Sequence, residues 1–186
     1  KPKELATLRV RDVDLRWVRA EEFLLVEKGS HEIQSSIWSF NLAKKTFSLV
    51  LRELKGLEVL WNSSGALALE LSEGQLKLIN RDVKLIRRLV FVTLPSKCAF
   101  SEETRSVTSS VSMKATTTKE KTSLAKEEFL DCAIPKDARE FDGYNLPDDY
   151  IKKAVFTEDG LYRIRIADGT IAKILEAEGI DAVKLK

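Results

Sequence analysis

The sequence predicts a mainly β chain that is built from repeated modules of four short strands. Short runs of apolar residues alternate with polar neighbours, which is the period-two pattern of half-buried strands. Two of these runs end in tryptophans that lie 44 residues apart, Trp17 and Trp61. Residues that favour tight turns, mainly Gly, Asn and Asp, separate the runs. Together these observations indicate a repeat of about 40–45 residues.

The first module is predicted from four runs between residues 13 and 51. Val13, Leu15 and Trp17 alternate with polar residues, and a second apolar run ends at Val26. A third run covers residues 37–41 and a fourth covers residues 47–51. Each run has the length of an ordinary strand.

The second module repeats this order between residues 57 and 86. Its first run ends at Trp61, and the turn-forming sequence of residues 62–65 follows it. The third run, residues 76–80, ends in Asn as residues 37–41 do, and residues 83–86 supply a fourth strand. The module therefore predicts the same strand–turn–strand arrangement as the first.

The C-terminal region predicts a third module. Residues 161–166 and 171–175 flank the pair Asp168-Gly169, and Asp-Gly is a strong hairpin signal. Residues 179–183 resemble residues 56–59, as if a further module began there, so we expect an incomplete array. We therefore divide the chain into residues 1–97 as two modules, 98–135 as an arm or linker with a short helix, and 136–186 as the third module.

The residues around Trp61 and the run of residues 75–80 resemble β-propeller repeats of the WD40 or TolB-like kind. The resemblance covers residues 13–90 and 150–186, and it implies four-stranded, propeller-like blades. The repeats are degenerate, because neither third strand is followed by Trp-Asp and no Gly-His opens a module.

An α+β single domain is the alternative fold. It places helices at residues 42–54, 83–89, 124–132 and 171–177, with Thr170 as the cap of the last helix.

Residues 101–123 are rich in Ser, Thr and Lys, which favours a mobile surface arm. The second interpretation of that segment is a strand with Val107, Val111, Met113 and Ala115 on one face.

Few residues have the patterns that catalysis or cofactor binding requires. His31 is the only histidine, and neither a Gly-x-Ser-x-Gly elbow nor a glycine-rich phosphate loop occurs. Asp148-Asp149 follows Pro147, as at the start of a helix or turn. The sequence therefore predicts no catalytic, metal-binding or cofactor-binding residue, and no cofactor.

The two cysteines, Cys98 and Cys132, have no compact spacing, so we expect reduced, partly buried thiols. No apolar run is long enough to span a membrane. These features predict a soluble, cytoplasmic chain with no membrane partner.

Two basic stretches are candidates for nucleic-acid contact. The first, near the start of the chain, supplies the predicted contact residues Arg9, Arg11, Arg16 and Arg19, and the second contains Lys84, Arg87 and Arg88. Acidic residues lie within the first stretch and the net charge is only +2, so nucleic-acid binding is disfavoured. Trp17 and Trp61 are expected to fill the cores of their modules.

We therefore expect a non-enzymatic protein-interaction scaffold, whose partner is another protein or the remaining part of the same assembly. One alternative is a propeller fragment of a larger peptidase-type hydrolase, with its catalytic domain outside this chain. The other is a nucleic-acid-binding module.

Overall fold

The computed structural model describes residues 12–111 and 119–176, together with the single residues 4, 7 and 181. Within them the chain is mainly β and forms three four-stranded antiparallel sheets. In each sheet the strands are neighbours in chain order, so each sheet is a simple meander. The prediction of four-stranded modules is confirmed at this level, whereas their assignment to a propeller stays a prediction.

Sheet 1 contains β1 (Val13–Arg19), β2 (Glu22–Glu27), β3 (Ser35–Asn41) and β4 (Thr46–Leu54). Sheet 2 contains β5 (Glu58–Trp61), β6 (Leu67–Ser72), β7 (Gln75–Asn80) and β8 (Leu85–Arg88). Seven of these strands lie where the apolar alternation predicted them, whereas β8 begins at Leu85, two residues later than the predicted run of residues 83–86.

Sheet 3 contains β9 (Cys98–Val111), β10 (Lys119–Pro135), β11 (Asp159–Arg165) and β12 (Ile171–Glu176). The helical elements of the described residues are two 3₁₀ turns, at Pro95–Lys97 and Ala138–Phe141, and a four-residue helix α1 (Asp148–Ile151). Helix α1 begins at the acidic pair, as predicted.

Residues 98–135 correct the sequence interpretation. The described part of this segment is a long antiparallel hairpin rather than an arm or linker with a short helix. Strands β9 and β10 pair from Cys98↔Cys132 to Val111↔Lys119, whereas β11 accompanies β10 only from Phe129 to Pro135. No other described strand pairs with the far part of the hairpin, which is there a two-stranded ribbon. Met113 and Ala115 lie outside the described residues.

The α+β alternative is also wrong. The segments that it assigned to helices contain β4, β8, part of β10 and β12. The spacing of Ile171, Ile174 and Leu175 allowed a helix, but the Asp168-Gly169 turn joins β11 to β12 as a hairpin. Tertiary pairing, which a short window of sequence does not contain, decided between the two patterns.

The three sheets stack face to face, with sheet 2 in the middle. One buried cluster joins sheets 1 and 2 and includes Leu24, Ile37, Ala68 and Ile79. A second cluster joins sheets 2 and 3 through residues such as Leu69, Leu71, Leu130 and Ile164. Because β6 contributes alternate residues to both clusters, this strand of sheet 2 is buried on both faces.

The only cysteines, Cys98 and Cys132, lie directly opposite each other at the base of the β9–β10 hairpin and form a disulfide. The prediction of reduced thiols is therefore wrong, because strand pairing brings together two residues that are 34 positions apart. A buried structural disulfide is typical of oxidising compartments, which counts against the predicted cytoplasmic location.

Among the described residues, no helix is long and apolar enough to cross a membrane.

Candidate functional site

The face of sheet 1 that is turned away from sheet 2 is the main candidate site. Cross-strand pairing arranges eight apolar residues on it in two rows that cross all four strands. We call this surface the open face. The first row is Trp17, Phe23, Phe40 and Phe47, and the second is Leu15, Leu25, Trp38 and Leu49.

The first row of the open face is a continuous ladder of aromatic rings. The ring centroids of Trp17 and Phe23 lie 5.4 Å apart, those of Phe23 and Phe40 5.1 Å, and those of Phe40 and Phe47 4.4 Å. Tilted and edge-on contacts at these distances are favourable for aromatic pairs. The ladder therefore gives sheet 1 a rigid apolar surface.

This surface is incompletely covered. Trp17 and Leu15 each retain 54% of their accessible area and Leu49 retains 42%, although Phe40 at the centre is buried by its neighbours. None of the eight side chains carries a charge. Contiguous exposed apolar area of this kind usually marks a site of protein contact. The expectation that Trp17 fills a core is therefore wrong for the chain as described. Trp61 does pack against the cluster between sheets 1 and 2, where it is half-buried.

The corresponding face of sheet 3, turned away from sheet 2, has a different chemistry. Arg163 on β11 forms a two-pronged ion pair with Asp131 on β10, with N–O distances of 2.7 and 3.0 Å, and it also pairs with Glu103. Its guanidinium lies 5.0 Å from the ring centroid of Phe129. The hydrogen bond with Asp131 raises the pKa of Arg163 above its ordinary value.

Charge pairing continues along this face of sheet 3. Arg165 pairs with Glu127 at 2.8 Å, and Ser101 donates a hydrogen bond to Asp131. Apolar side chains occur at one corner, where Leu161 lies opposite Leu175. Because its central charges are paired within the sheet, covering this face would require the removal of water from ionic groups.

The loops at one end of the stack form a second candidate site. The connections β2–β3, β4–β5 and β6–β7 are joined there by backbone hydrogen bonds, such as those from Gly29 to Leu57 and from Gly56 to Ser30. The segment of residues 136–158 packs on the same end. A Cβ on Gly56 would lie 2.6 Å from the carbonyl oxygen of Leu146, so this contact requires glycine.

A cleft of about 520 Å³ opens between these loops. Apolar side chains and charged side chains of both signs line it. The lining includes His31, Lys55, Glu73, Val92, Phe141, Asp142, Tyr144 and Leu146. The volume suits a small ligand. Among the described residues, the lining contains no Ser, Thr or Cys for His31 to activate.

A buried ionic cluster lies beside the cleft and was not predicted from the sequence. The Lys97 side chain is fully buried, and its ammonium lies 2.7 Å from Asp159 and 2.6 Å from Asp181. It also donates to the hydroxyl of Thr157 at 2.5 Å and lies 4.6 Å from the ring centroid of Tyr150.

Hydrogen bonds and burial shift the pKa values of this cluster. Burial raises the pKa of Tyr150, and the hydrogen bond that its hydroxyl donates to Asp181 raises it further. For Asp181, burial acts to raise the pKa, but the hydrogen bonds from Lys97 and Tyr150 outweigh this effect and leave the pKa below its ordinary value. Because the Lys97 ammonium is held by two carboxylates and a hydroxyl, the cluster fixes the loop end rather than presenting a free nucleophile.

The candidate nucleic-acid residues are only partly described. Arg16 donates to the backbone carbonyls of Asn62 and Ser63, and Arg19 pairs with Glu22 and Asp82, each at 2.5 Å. The guanidinium of Arg16 therefore links sheet 1 to the turn after β5, and that of Arg19 links β1 to β2 and to the β7–β8 turn. Arg9 and Arg11 lie outside the described residues.

No group of three or more His, Cys, Asp or Glu side chains suited to a metal ion occurs in residues 12–111 and 119–176 or at the singly described positions. No model of a known protein family matches the chain, and a search of curated proteins finds no similar sequence. The interpretation of function therefore rests on the physical character of the surfaces described above.

Proposed function

We propose that the chain is a non-enzymatic protein-interaction scaffold built from propeller-like four-stranded modules, with the open face as its contact surface. The single observation that carries this proposal is the row of four aromatic rings on a sheet face that leaves Trp17 more than half exposed. Large aromatic side chains contribute most of the binding energy in protein interfaces. The partner is an apolar protein surface, either in another chain or in another part of the same assembly.

The contrast between the two ends of the stack supports this assignment. Sheet 3 neutralises its central charges within its own outer face, whereas sheet 1 presents only apolar side chains on its open face. Repeat proteins use polar outer faces on terminal modules and apolar faces between modules. By this criterion the outer face of sheet 3 is a terminal surface and the open face of sheet 1 is an internal one.

Site-specific photo-crosslinking in cells tests the proposal. Benzoylphenylalanine is placed at position 17, and the matched control is the same residue at position 156, where Phe156 is 67% exposed outside the open face. We expect discrete protein adducts from position 17 and none from position 156. Adducts at both positions alike, or none at position 17, would contradict a contact role for the open face.

A further inference from the structure

The repeat of the sequence identifies which surface of sheet 2 corresponds to the open face. Trp17 in β1 corresponds to Trp61 in β5, because each ends the apolar alternation of the first strand in its sheet. Phe40 in β3 corresponds to Ile79 in β7, because each lies directly before the Asn that ends the third strand. Trp61 and Ile79 both pack into the cluster between sheets 1 and 2. The open face of sheet 1 is thus equivalent to the face of sheet 2 that sheet 1 covers.

From this equivalence we infer that the open face binds a fourth four-stranded antiparallel sheet, stacked on sheet 1 as sheet 1 is stacked on sheet 2. This inference rests on the proposed function and names the partner. The occupant presents an apolar face like the inner face of sheet 1, where Leu24, Val26 and Ile37 are buried.

The shape of the open face also fits a sheet. Its two rows cross all four strands, so the apolar surface is as wide as the sheet itself. Packed sheets lie about 10 Å apart with interdigitated side chains, and such packing covers both rows at once. A single helix or extended peptide would cover only part of this width. Head-to-tail stacking of a second copy would place the ion pairs of Arg163 against the aromatic ladder, which is unfavourable.

A tandem variant of the full chain tests the inference. Residues 12–57 are duplicated, so that the added sheet is joined to the original sheet 1 through a copy of the β4–β5 connection. The other tryptophans in both copies are replaced by Phe, which leaves the original Trp17 as the only fluorescent reporter. We expect the Stern–Volmer constant for acrylamide quenching of Trp17 to fall severalfold relative to the unduplicated chain with the same Phe replacements.

Two variants control this experiment. In the first, Leu24→Asp and Ile37→Asp in the added copy destroy its inner face, and Trp17 should return to the accessibility of the unduplicated chain. In the second, Val90→Ser changes a residue that is 93% exposed outside the open face and should leave the shielding intact. Circular dichroism shows whether the added copy has folded.

Equal quenching in the tandem and unduplicated chains would overturn the fourth-sheet inference. It would also be overturned if sedimentation showed that the unduplicated chain dimerises and shields Trp17, because the occupant would then be a second copy. Neither result would contradict the proposed function, which fails if position 17 forms no protein adducts or if positions 17 and 156 form them alike.

Discussion

Sheets 1 and 3 lie on opposite sides of sheet 2, and they are stabilised in different ways. Sheet 1 is held by an aromatic ladder on its open face and by the buried cluster that it shares with sheet 2. Sheet 3 is held by a disulfide, by ion pairs around Arg163 and by the buried Lys97 cluster nearby. Sheets 1 and 3 thus share the same meander topology, but the outer face of sheet 1 is suited to protein contact and that of sheet 3 to contact with water.

The largest expected effect concerns the centre of the aromatic ladder. Phe40 is 1% exposed and contacts both Phe23 and Phe47. Because truncation leaves a cavity among these rings, Phe40→Ala should lower the free energy of unfolding by about 3–5 kcal/mol. Urea denaturation measures this change. Phe156→Ala, at an exposed position, is the control and should change stability by less than about 0.5 kcal/mol. A loss below about 1 kcal/mol at Phe40 would show that the ladder does not support sheet 1.

The disulfide provides the matching test in sheet 3. Replacing Cys98 and Cys132 together by Ser removes a crosslink between residues 34 positions apart, which should cost about 2–4 kcal/mol. Hydrogen exchange should show faster opening of β9 and β10, while β2 and β3 keep their protection. Equal loss of protection in sheets 1 and 3 would contradict the separate stabilisation of the two sheets.

The strands of sheets 1 and 2 could be predicted from the sequence because each strand shows its own alternation. In sheet 3, β11 and β12 could be predicted from the runs on either side of Asp168-Gly169. Strands β9 and β10 could not, because their Ser and Thr residues favour a loop as much as a solvent-exposed strand. The Lys97 cluster was also missed, since Asp159 and Asp181 lie 62 and 84 residues from Lys97. The exposure of Trp17 depends on whether another layer covers sheet 1, and the alternation in β1 is the same in either case.

A smaller effect is expected for the ion pairs on the outer face of sheet 3. Arg163→Met should lower the free energy of unfolding by about 1 kcal/mol, because these pairs are partly exposed and water screens them. The control is Arg139→Met, whose side chain is 81% exposed and pairs with Asp137, and it should have no measurable effect. Thermal melts compare the two variants. If Arg163→Met instead stabilised the chain and left it monomeric, the outer face of sheet 3 would not need its ion pairs.

Acid should weaken sheet 3 through two carboxyls whose pKa is lowered in the folded chain. Asp181 is partly buried, but hydrogen bonds from Lys97 and Tyr150 hold its pKa below the ordinary value, and a backbone hydrogen bond from Thr170 lowers that of Asp168, in the β11–β12 turn, to about 2. Carboxyls with a lowered folded-state pKa stabilise the fold above their unfolded pKa, and this contribution is lost as the pH falls through the folded value. Between about pH 5 and pH 2, protection of β11 and β12 should therefore decrease. The hydrogen bond from Ser39 lowers the pKa of Glu22 in β2 as well, so the reference strands are β6 and β7 of sheet 2. Asp181→Asn should reduce the loss in β11 and β12 relative to this reference, and undiminished protection of β11 and β12 at about pH 2 would contradict the prediction.

Hydroxyl-radical footprinting tests most directly whether sheet 1 has an open face that another protein layer covers. The oxidation of Trp17, Leu15 and Leu49 is compared between the isolated chain and the native assembly recovered from cells, with Phe156 as the internal reference. We expect rapid oxidation of all three residues in the isolated chain and strong protection in the assembly, with Phe156 unchanged. Equal oxidation of Trp17 in both samples would contradict it.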